Sequence, residues 1–264
     1  MPTYTDITIL LITGSTVFCL ALALTGALRR RRSGTIPPVP LFPGSNFPGF
    51  FSQFYTAFFI ITFAMASIAC LRAPETEPPD VFSIIINGFI QIALYLPFLI
   101  IYFTLPGRGL PRMRVLDCLS WIVAGLFLMF IPALILDSAG FTQYLVKETG
   151  CPENQDVVET LMSGSPGVKV AMLVMAVIVA PVTEECCFRG FVYNILKQYS
   201  SPAVAAIASA LLFSAVHASL AQFLQLFIFG VVQCLMYEKA RSLWLPILLH
   251  ILFNAISSIY ILTL

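Results

Sequence analysis

The 264 residues are 59% hydrophobic and only 10% charged, with a net charge of +1 and a mean hydropathy of +0.92. A soluble domain carries about 25% charged residues, so this composition excludes a water-exposed globular surface and indicates a membrane protein. The nearly neutral charge gives no indication of a nucleic-acid partner. The seven cysteines include no CxxC pair and are odd in number, which argues against a disulfide framework or a zinc ribbon.

Apolar segments follow one another along the whole chain. About 20 apolar residues cross the hydrocarbon core of a bilayer as a helix, and eight segments come near that length. They are Ile7–Leu28, Phe50–Leu71, Val81–Leu105, Leu116–Leu136, Val168–Leu196, Pro202–His217, Leu220–Tyr237 and Leu243–Leu262. We therefore predict an all-α, polytopic membrane protein with about eight transmembrane helices, the first of which is retained rather than cleaved as a signal peptide.

The loops between these segments predict the orientation in the membrane. Ten Lys and Arg residues fall in the alternate loops that begin with Arg29–Arg32, and three fall in the others. Because cytoplasmic loops carry the excess of basic residues, both termini are expected outside. The loop Ser33–Gly49 is rich in proline and glycine, and the acidic outer loop Asp137–Gly167 is expected to be solvated. We divide the chain into residues 1–167, with N-terminal helices and loops, and residues 168–264, with the catalytic helices.

The fifth segment contains two adjacent carboxylates and a guanidinium, Glu184, Glu185 and Arg189. Ionisable residues inside a span are costly and usually functional. On a helix Glu185 and Arg189 are four residues apart and share a face, so they can pair. Glu184 is rotated by about 100° and is left without this partner. Pro181 removes one backbone hydrogen bond, which is expected to free the carbonyl of Val177.

Both histidines of the chain, His217 and His250, also lie in apolar segments, and Asn254 follows His250 by one helical turn. At about 1.5 Å per residue from the cytoplasmic end of each segment, Glu184, His217 and Asn254 lie about 18–22 Å deep, and His250 about 12 Å deep. The hydrocarbon core is about 30 Å thick. Three separate helices are therefore expected to bring polar groups together near the middle of the membrane.

Such a cluster has the groups that amide hydrolysis needs. A free carboxylate beside an imidazole can deprotonate water, and a histidine with an amide can donate hydrogen bonds to an oxyanion. No HExxH motif is present, and Asp117 and Asp137 stand at the two ends of one helix rather than opposite each other. Ser214, three residues before His217, stays open as a nucleophile. Two other classes also stay open: a proton-coupled transporter and a membrane scaffold or immunity factor without catalysis.

Three motifs then identify a family resemblance. Glu184-Glu185 with Arg189 fits EExxxR, Phe213 with His217 fits FxxxH, and His250 with Asn254 fits HxxxN, in that order. The sequence resembles the CAAX protease and bacteriocin-processing family of intramembrane proteases, which includes the CAAX prenyl endopeptidases. The resemblance covers about Val168 to Leu264.

This resemblance implies an intramembrane endopeptidase that cleaves membrane-associated or lipidated peptides and proteins within the bilayer. It implies that Glu184 is the general base, that His217 orients the water, and that His250 and Asn254 stabilise the oxyanion. Glu185 and Arg189 would support the site, and the cavity would open toward the cytoplasm. No cofactor is then required. The alternative is a zinc-dependent protease whose metal is held by Glu184, His217 and His250.

Overall fold

The structure, a computed structural model, describes residues 3–32, 79–104 and 113–263, together with positions 61, 64, 65 and 68. These ranges form helices and connecting turns and no β-strand, so the predicted all-α class is confirmed. The helices within them are α1 (Tyr4–Arg32), α2 (Val81–Thr104), α3 (Val115–Ser138), α4 (Phe141–Thr149), α5 (Asp156–Ser163), α6 (Pro166–Tyr199), α7 (Pro202–Val216), α8 (Phe223–Ala240) and α9 (Trp244–Thr263).

The chain is an integral membrane protein. Among the described residues α1, α3, α6, α8 and α9 are long and apolar enough to cross a bilayer, and α2 and α7 contain shorter apolar stretches. The predicted span Phe50–Leu71, apart from the four positions above, and the segment Ser33–Gly49 lie outside the described residues. The number of eight spans therefore stays a prediction.

The expectation of a solvated outer loop over Asp137–Gly167 is wrong for part of that segment. It contains the two short helices α4 and α5, and α5 packs against α6 and α9. Leu161 of α5 is completely buried and its neighbour Thr160 is nearly so. The physical reason is an amphipathic pattern, in which apolar residues about one turn apart give the helix a face that packs on the bundle.

Helix α6 carries the EExxxR motif and is interrupted by two π-helical segments, Met175–Val179 and Phe188–Tyr193. In the first segment Ala180 N–H donates to the carbonyl of Met175, five residues back. In the same register the partner of the Ala176 carbonyl would be the nitrogen of Pro181, which has no hydrogen. The backbone carbonyl left free by Pro181 is thus that of Ala176, and it accepts a hydrogen bond from another helix. The α-helical spacing had predicted the carbonyl of Val177, one residue later.

Helix α7 is shorter than a full membrane span. Ser201 caps its N-terminus by accepting from Val204 N–H, and Pro202 occupies the first turn. Its 15 residues are about 22 Å long at 1.5 Å per residue, less than the thickness of the hydrocarbon core of about 30 Å. His217 forms the C-terminal cap. The FxxxH histidine is therefore presented at the end of a helix.

The helices α7 and α8 approach each other closely where small residues meet. A Cβ atom added to Gly230 would lie 2.8 Å from Cβ of Ala210 and 2.9 Å from its Cα. Only a residue without a side chain fits at this contact, as is common where membrane helices cross. Helix α1 also packs against α7, and the buried core is formed mainly by α6, α7, α8 and α9. This packing surrounds the motif residues with apolar side chains.

Candidate active site

The two adjacent glutamates face different surroundings, as their offset on the helix predicts. The Glu185 side chain is completely buried, whereas 15% of the Glu184 side chain is exposed. Arg189 Nη1 lies 2.9 Å from Glu185 Oε1, so the ion pair predicted from the four-residue spacing is present. Glu184 instead faces His217. One carboxylate is neutralised inside the bundle and the other is accessible.

Glu185 contacts two further side chains besides that of Arg189. Its Oε1 atom also lies 2.9 Å from His250 Nδ1 and accepts a hydrogen bond from Gln233 Nε2 at 3.3 Å. This single oxygen therefore joins α6 to α8 and α9. Because all four side chains are buried, these contacts lie in a medium of low dielectric constant, where charge-assisted hydrogen bonds are strong.

The Arg189 guanidinium is held by aromatic faces as well as by its carboxylate. Its Cζ atom lies 4.5 Å from the ring centroid of Phe213, and Nη2 donates to the Gly230 carbonyl at 3.3 Å. Phe213 also contacts the His217 ring, with centroids 4.5 Å apart. The phenylalanine of the FxxxH motif thus lies between the cation and the histidine. It provides cation–π stabilisation on one side and ring packing on the other.

His217 and Glu184 form the accessible pair. His217 Nε2 lies 3.8 Å from Glu184 Oε2, and 24% of the His217 side chain is exposed. His217 Nδ1 lies 2.6 Å from the Phe213 carbonyl, which can only accept a hydrogen bond. Nδ1 therefore carries the proton, and Nε2 of the neutral ring is an acceptor. A water molecule at about 2.8 Å from both atoms could donate one hydrogen to each.

The structure separates His250 and Asn254, which the resemblance treats as one pair. His250 turns Nδ1 to Glu185, and Asn254 Nδ2 donates to the Ala176 carbonyl at 2.7 Å. That carbonyl is the one released by the π segment and Pro181. Asn254 therefore also has a structural role, because it satisfies a backbone acceptor of α6. Its amide has a second hydrogen, which can still be donated to a substrate.

Sequence reasoning missed Gln233, which is completely buried on α8 and contacts Glu185. The signal was available, because an amide inside an apolar span calls for an explanation just as a carboxylate does. The serine alternative is not supported by the structure. Ser214 is completely buried, and its hydroxyl donates to the carbonyls of Ala210 and Leu211 within its own helix.

The proposed zinc ligands do not converge on one point. Among the described residues, no three His, Cys, Asp or Glu side chains are arranged to hold a metal ion. Glu184 and His217 face each other, whereas His250 directs Nδ1 to Glu185. A zinc site needs three or four ligands at about 2.0–2.3 Å from the metal. The arrangement therefore does not fit a zinc centre without movement of His250.

The model of the type II CAAX prenyl endopeptidase Rce1-like family matches residues 166–256. The predicted resemblance is confirmed. The match begins at the first residue of α6 and covers all three motifs, which is about a third of the chain. These residues are thus similar to a membrane-embedded protease domain of the CAAX protease and bacteriocin-processing family.

A similar protein from another organism agrees with the family match. A Bacillus subtilis (strain 168) protein named "Putative membrane peptidase YdiL" is 27% identical over 135 residues. The alignment covers 51% of this chain and 52% of the relative, so the chain spans about half the length of that protein. No solved structure gives a significant match. Both matches support a membrane protease.

Proposed function

We propose that the protein is an intramembrane endopeptidase that hydrolyses peptide bonds of membrane-associated or lipidated peptides and proteins, using water activated by Glu184 and His217. The observation that carries the proposal is the 3.8 Å separation between Glu184 Oε2 and His217 Nε2, both on partly exposed side chains. Each atom is an acceptor when the ring is neutral, so together they favour a water molecule between them. Both are otherwise surrounded by apolar helices.

In the proposed reaction the water oxygen attacks the carbonyl carbon of the scissile bond. One water proton passes to Glu184, the other hydrogen is held by His217, and the carbonyl π electrons move to the oxygen. When the carbonyl re-forms, the C–N bond breaks and Glu184 returns its proton to the leaving amine. The products are a carboxylic acid and an amine. General base catalysis of this kind contributes about 10²–10⁴ in rate.

The negative charge on the carbonyl oxygen needs hydrogen-bond donors. Asn254 can supply its second amide hydrogen. His250 can donate from Nε2 when both ring nitrogens carry protons, and Nδ1 then donates to the Glu185 carboxylate at 2.9 Å. This reaction requires no metal. We further propose that both termini lie outside and that the cavity opens toward the cytoplasm, on the basis of the basic loops and the family resemblance.

A cleavage assay with isotopic water tests the proposal. The purified chain is reconstituted in liposomes with three peptides: a C-terminally prenylated peptide, its unlipidated copy and a transmembrane peptide. Products are identified by mass spectrometry in H₂¹⁸O. We expect one ¹⁸O atom in each new C-terminal carboxylate, and almost no product with Glu184→Gln.

The matched control is Glu148→Gln, which makes the same change at an exposed glutamate of α4 and should cleave like the wild type. A wild type that yields no product from any peptide would contradict the proposal. So would equal turnover by Glu184→Gln. A proton-coupled transporter would give no ¹⁸O-labelled product, either as the wild type or as Glu184→Gln.

A further inference from the structure

The amide of Gln233 lies where α6, α8 and α9 meet, next to the histidine of the HxxxN motif. Its Nε2 atom donates to Glu185 Oε1 at 3.3 Å and to the Pro246 carbonyl at 3.0 Å. Both partners are acceptors, so the orientation of the amide is fixed by chemistry, with both of its hydrogens used. The side chain is completely buried.

The acceptors of these two hydrogen bonds lie next to the side chain and next to the backbone of one residue, His250. Glu185 Oε1 is the atom that lies 2.9 Å from His250 Nδ1, so it orients the imidazole ring. Pro246 is four residues before His250 on α9, so its carbonyl belongs to the turn that carries the His250 backbone. The Gln233 amide therefore connects the carboxylate that binds the His250 ring to the helical turn that precedes His250.

The rest of the His250 environment cannot replace this link. The ring packs against Phe229 with centroids 4.6 Å apart and has Phe213 at 6.4 Å. Aromatic contacts limit where the ring lies but do not decide which nitrogen faces which helix. The hydrogen bond to Glu185 decides this, and Gln233 and Arg189 hold the accepting oxygen in place.

We infer that Gln233 is a positioning residue, which acts through Glu185 and Pro246 to keep Nδ1 of His250 on the carboxylate and Nε2 available to the reacting carbonyl. Gln233 itself does not contact substrate. The inference rests on the proposed protease function for its catalytic consequence. The geometric consequence, that Gln233 fixes the state of the His250 ring, is independent of activity.

The two histidines of the chain make this directly measurable. The full chain is labelled with ¹⁵N-histidine, placed in lipid nanodiscs and studied by long-range ¹H–¹⁵N NMR, with His217→Gln and His250→Gln providing the assignments. In the wild type we expect a proton on Nδ1 of both rings. Gln233→Met keeps the approximate side-chain volume and removes the amide. It should shift the His250 signals or split them between tautomers, while the His217 signals stay unchanged.

The matched control is Gln91→Met, because Gln91 is also a glutamine within an apolar helix and donates to Thr183 rather than to Glu185. It should leave the His250 signals as in the wild type. In the cleavage assay Gln233→Met should lower kcat about 10- to 100-fold, the effect of a slightly misplaced catalytic group. KM should stay within about twofold, because substrate binding does not use Gln233.

Unchanged His250 signals in a folded Gln233→Met variant would overturn the inference. If that variant does not fold, side-chain hydrogen exchange of the ¹⁵N-glutamine-labelled wild type decides. The Gln233 amide hydrogens should exchange far more slowly than those of exposed Gln143, and equal exchange would overturn the inference. An inactive wild type with the expected His250 shift contradicts the protease proposal alone. An active wild type whose Gln233→Met variant keeps full turnover contradicts the positioning role alone.

Discussion

The adjacent glutamates should differ in what their loss does to the protein. Glu184→Gln removes a base from a partly exposed site, whereas Glu185→Gln removes the negative charge that neutralises a buried arginine. Arg189 is 1% exposed, and among the described residues Glu185 is the only carboxylate in ion-pair contact with it. We therefore expect Glu184→Gln to be inactive and stable, and Glu185→Gln to be unstable.

The size of the difference follows from these contacts. In Glu185→Gln the amide oxygen can still accept hydrogen bonds from Arg189, His250 and Gln233, but it carries no full charge. Leaving one member of a buried ion pair uncompensated costs about 3–5 kcal/mol. Typical unfolding free energies are about 5–15 kcal/mol, so much of the stability would be lost. Glu184→Gln should change the unfolding free energy by less than about 1 kcal/mol, because its side chain is partly exposed and Arg189 keeps its partner Glu185.

Equilibrium unfolding in detergent can measure both variants through the fluorescence of the two tryptophans, Trp121 and Trp244. The control is the double variant Glu185→Gln with Arg189→Gln. Removing both charges should restore part of the stability lost in the single variant, because the two substitutions are coupled through direct contact. The cleavage assay, run in parallel, should show that Glu184→Gln loses about 10²–10⁴ in kcat.

The opposite pattern of stability would reverse the roles of the two glutamates. If Glu184→Gln were the destabilised variant and Glu185→Gln were stable but inactive, Glu185 would be the base and Glu184 the structural carboxylate. A double variant no more stable than Glu185→Gln alone would show that Arg189 is not held by Glu185.

Three further predictions follow from the loops, the proposed water and the π segment. In a Ser33→Cys variant, the added cysteine should react with a membrane-impermeant thiol reagent only from the cytoplasmic side; reaction from outside would reverse the proposed orientation. Extended chelation should leave cleavage largely intact, and loss of activity that stoichiometric zinc restores would favour the metalloprotease alternative. Asn254→Ala should lower the unfolding free energy by about 1–3 kcal/mol, because the Ala176 carbonyl loses its donor. In a Pro181→Ala background that loss should be smaller, since residue 181 regains its own N–H, and an equal loss in both backgrounds would contradict this.

The helices that carry the candidate site were largely predictable because membrane helices impose strong constraints. Apolar length predicted the helices, and the observed bounds of α2, α3, α6, α7 and α9 agree with the predicted segments to within about three residues. The four-residue spacing predicted the Glu185–Arg189 pair, since both residues lie on one helix and local geometry determines their distance. The same offset predicted that Glu184 faces away from Arg189.

Contacts between helices could not be read in this way. The spacing of His250 and Asn254 is also four residues, but their partners, Glu185 and the Ala176 carbonyl, lie on another helix. The shift to Ala176 depends on a π segment, whose five-residue hydrogen-bond register differs from the four-residue register of the α-helix assumed from the sequence.

The sequence by itself thus determined that the protein is a bundle of membrane helices with ionisable groups inside apolar segments, because burial of charge in lipid is so costly that few such residues occur without a role. Only the tertiary structure decided which oxygen each donor reaches. The oxygen of Glu185 that joins Arg189, His250 and Gln233 is a meeting point of three helices. It depends on how the helices pack, because α7 and α8 approach closely at Gly230 and the Gly230 carbonyl accepts a hydrogen bond from Arg189 Nη2, which holds α8 against α6.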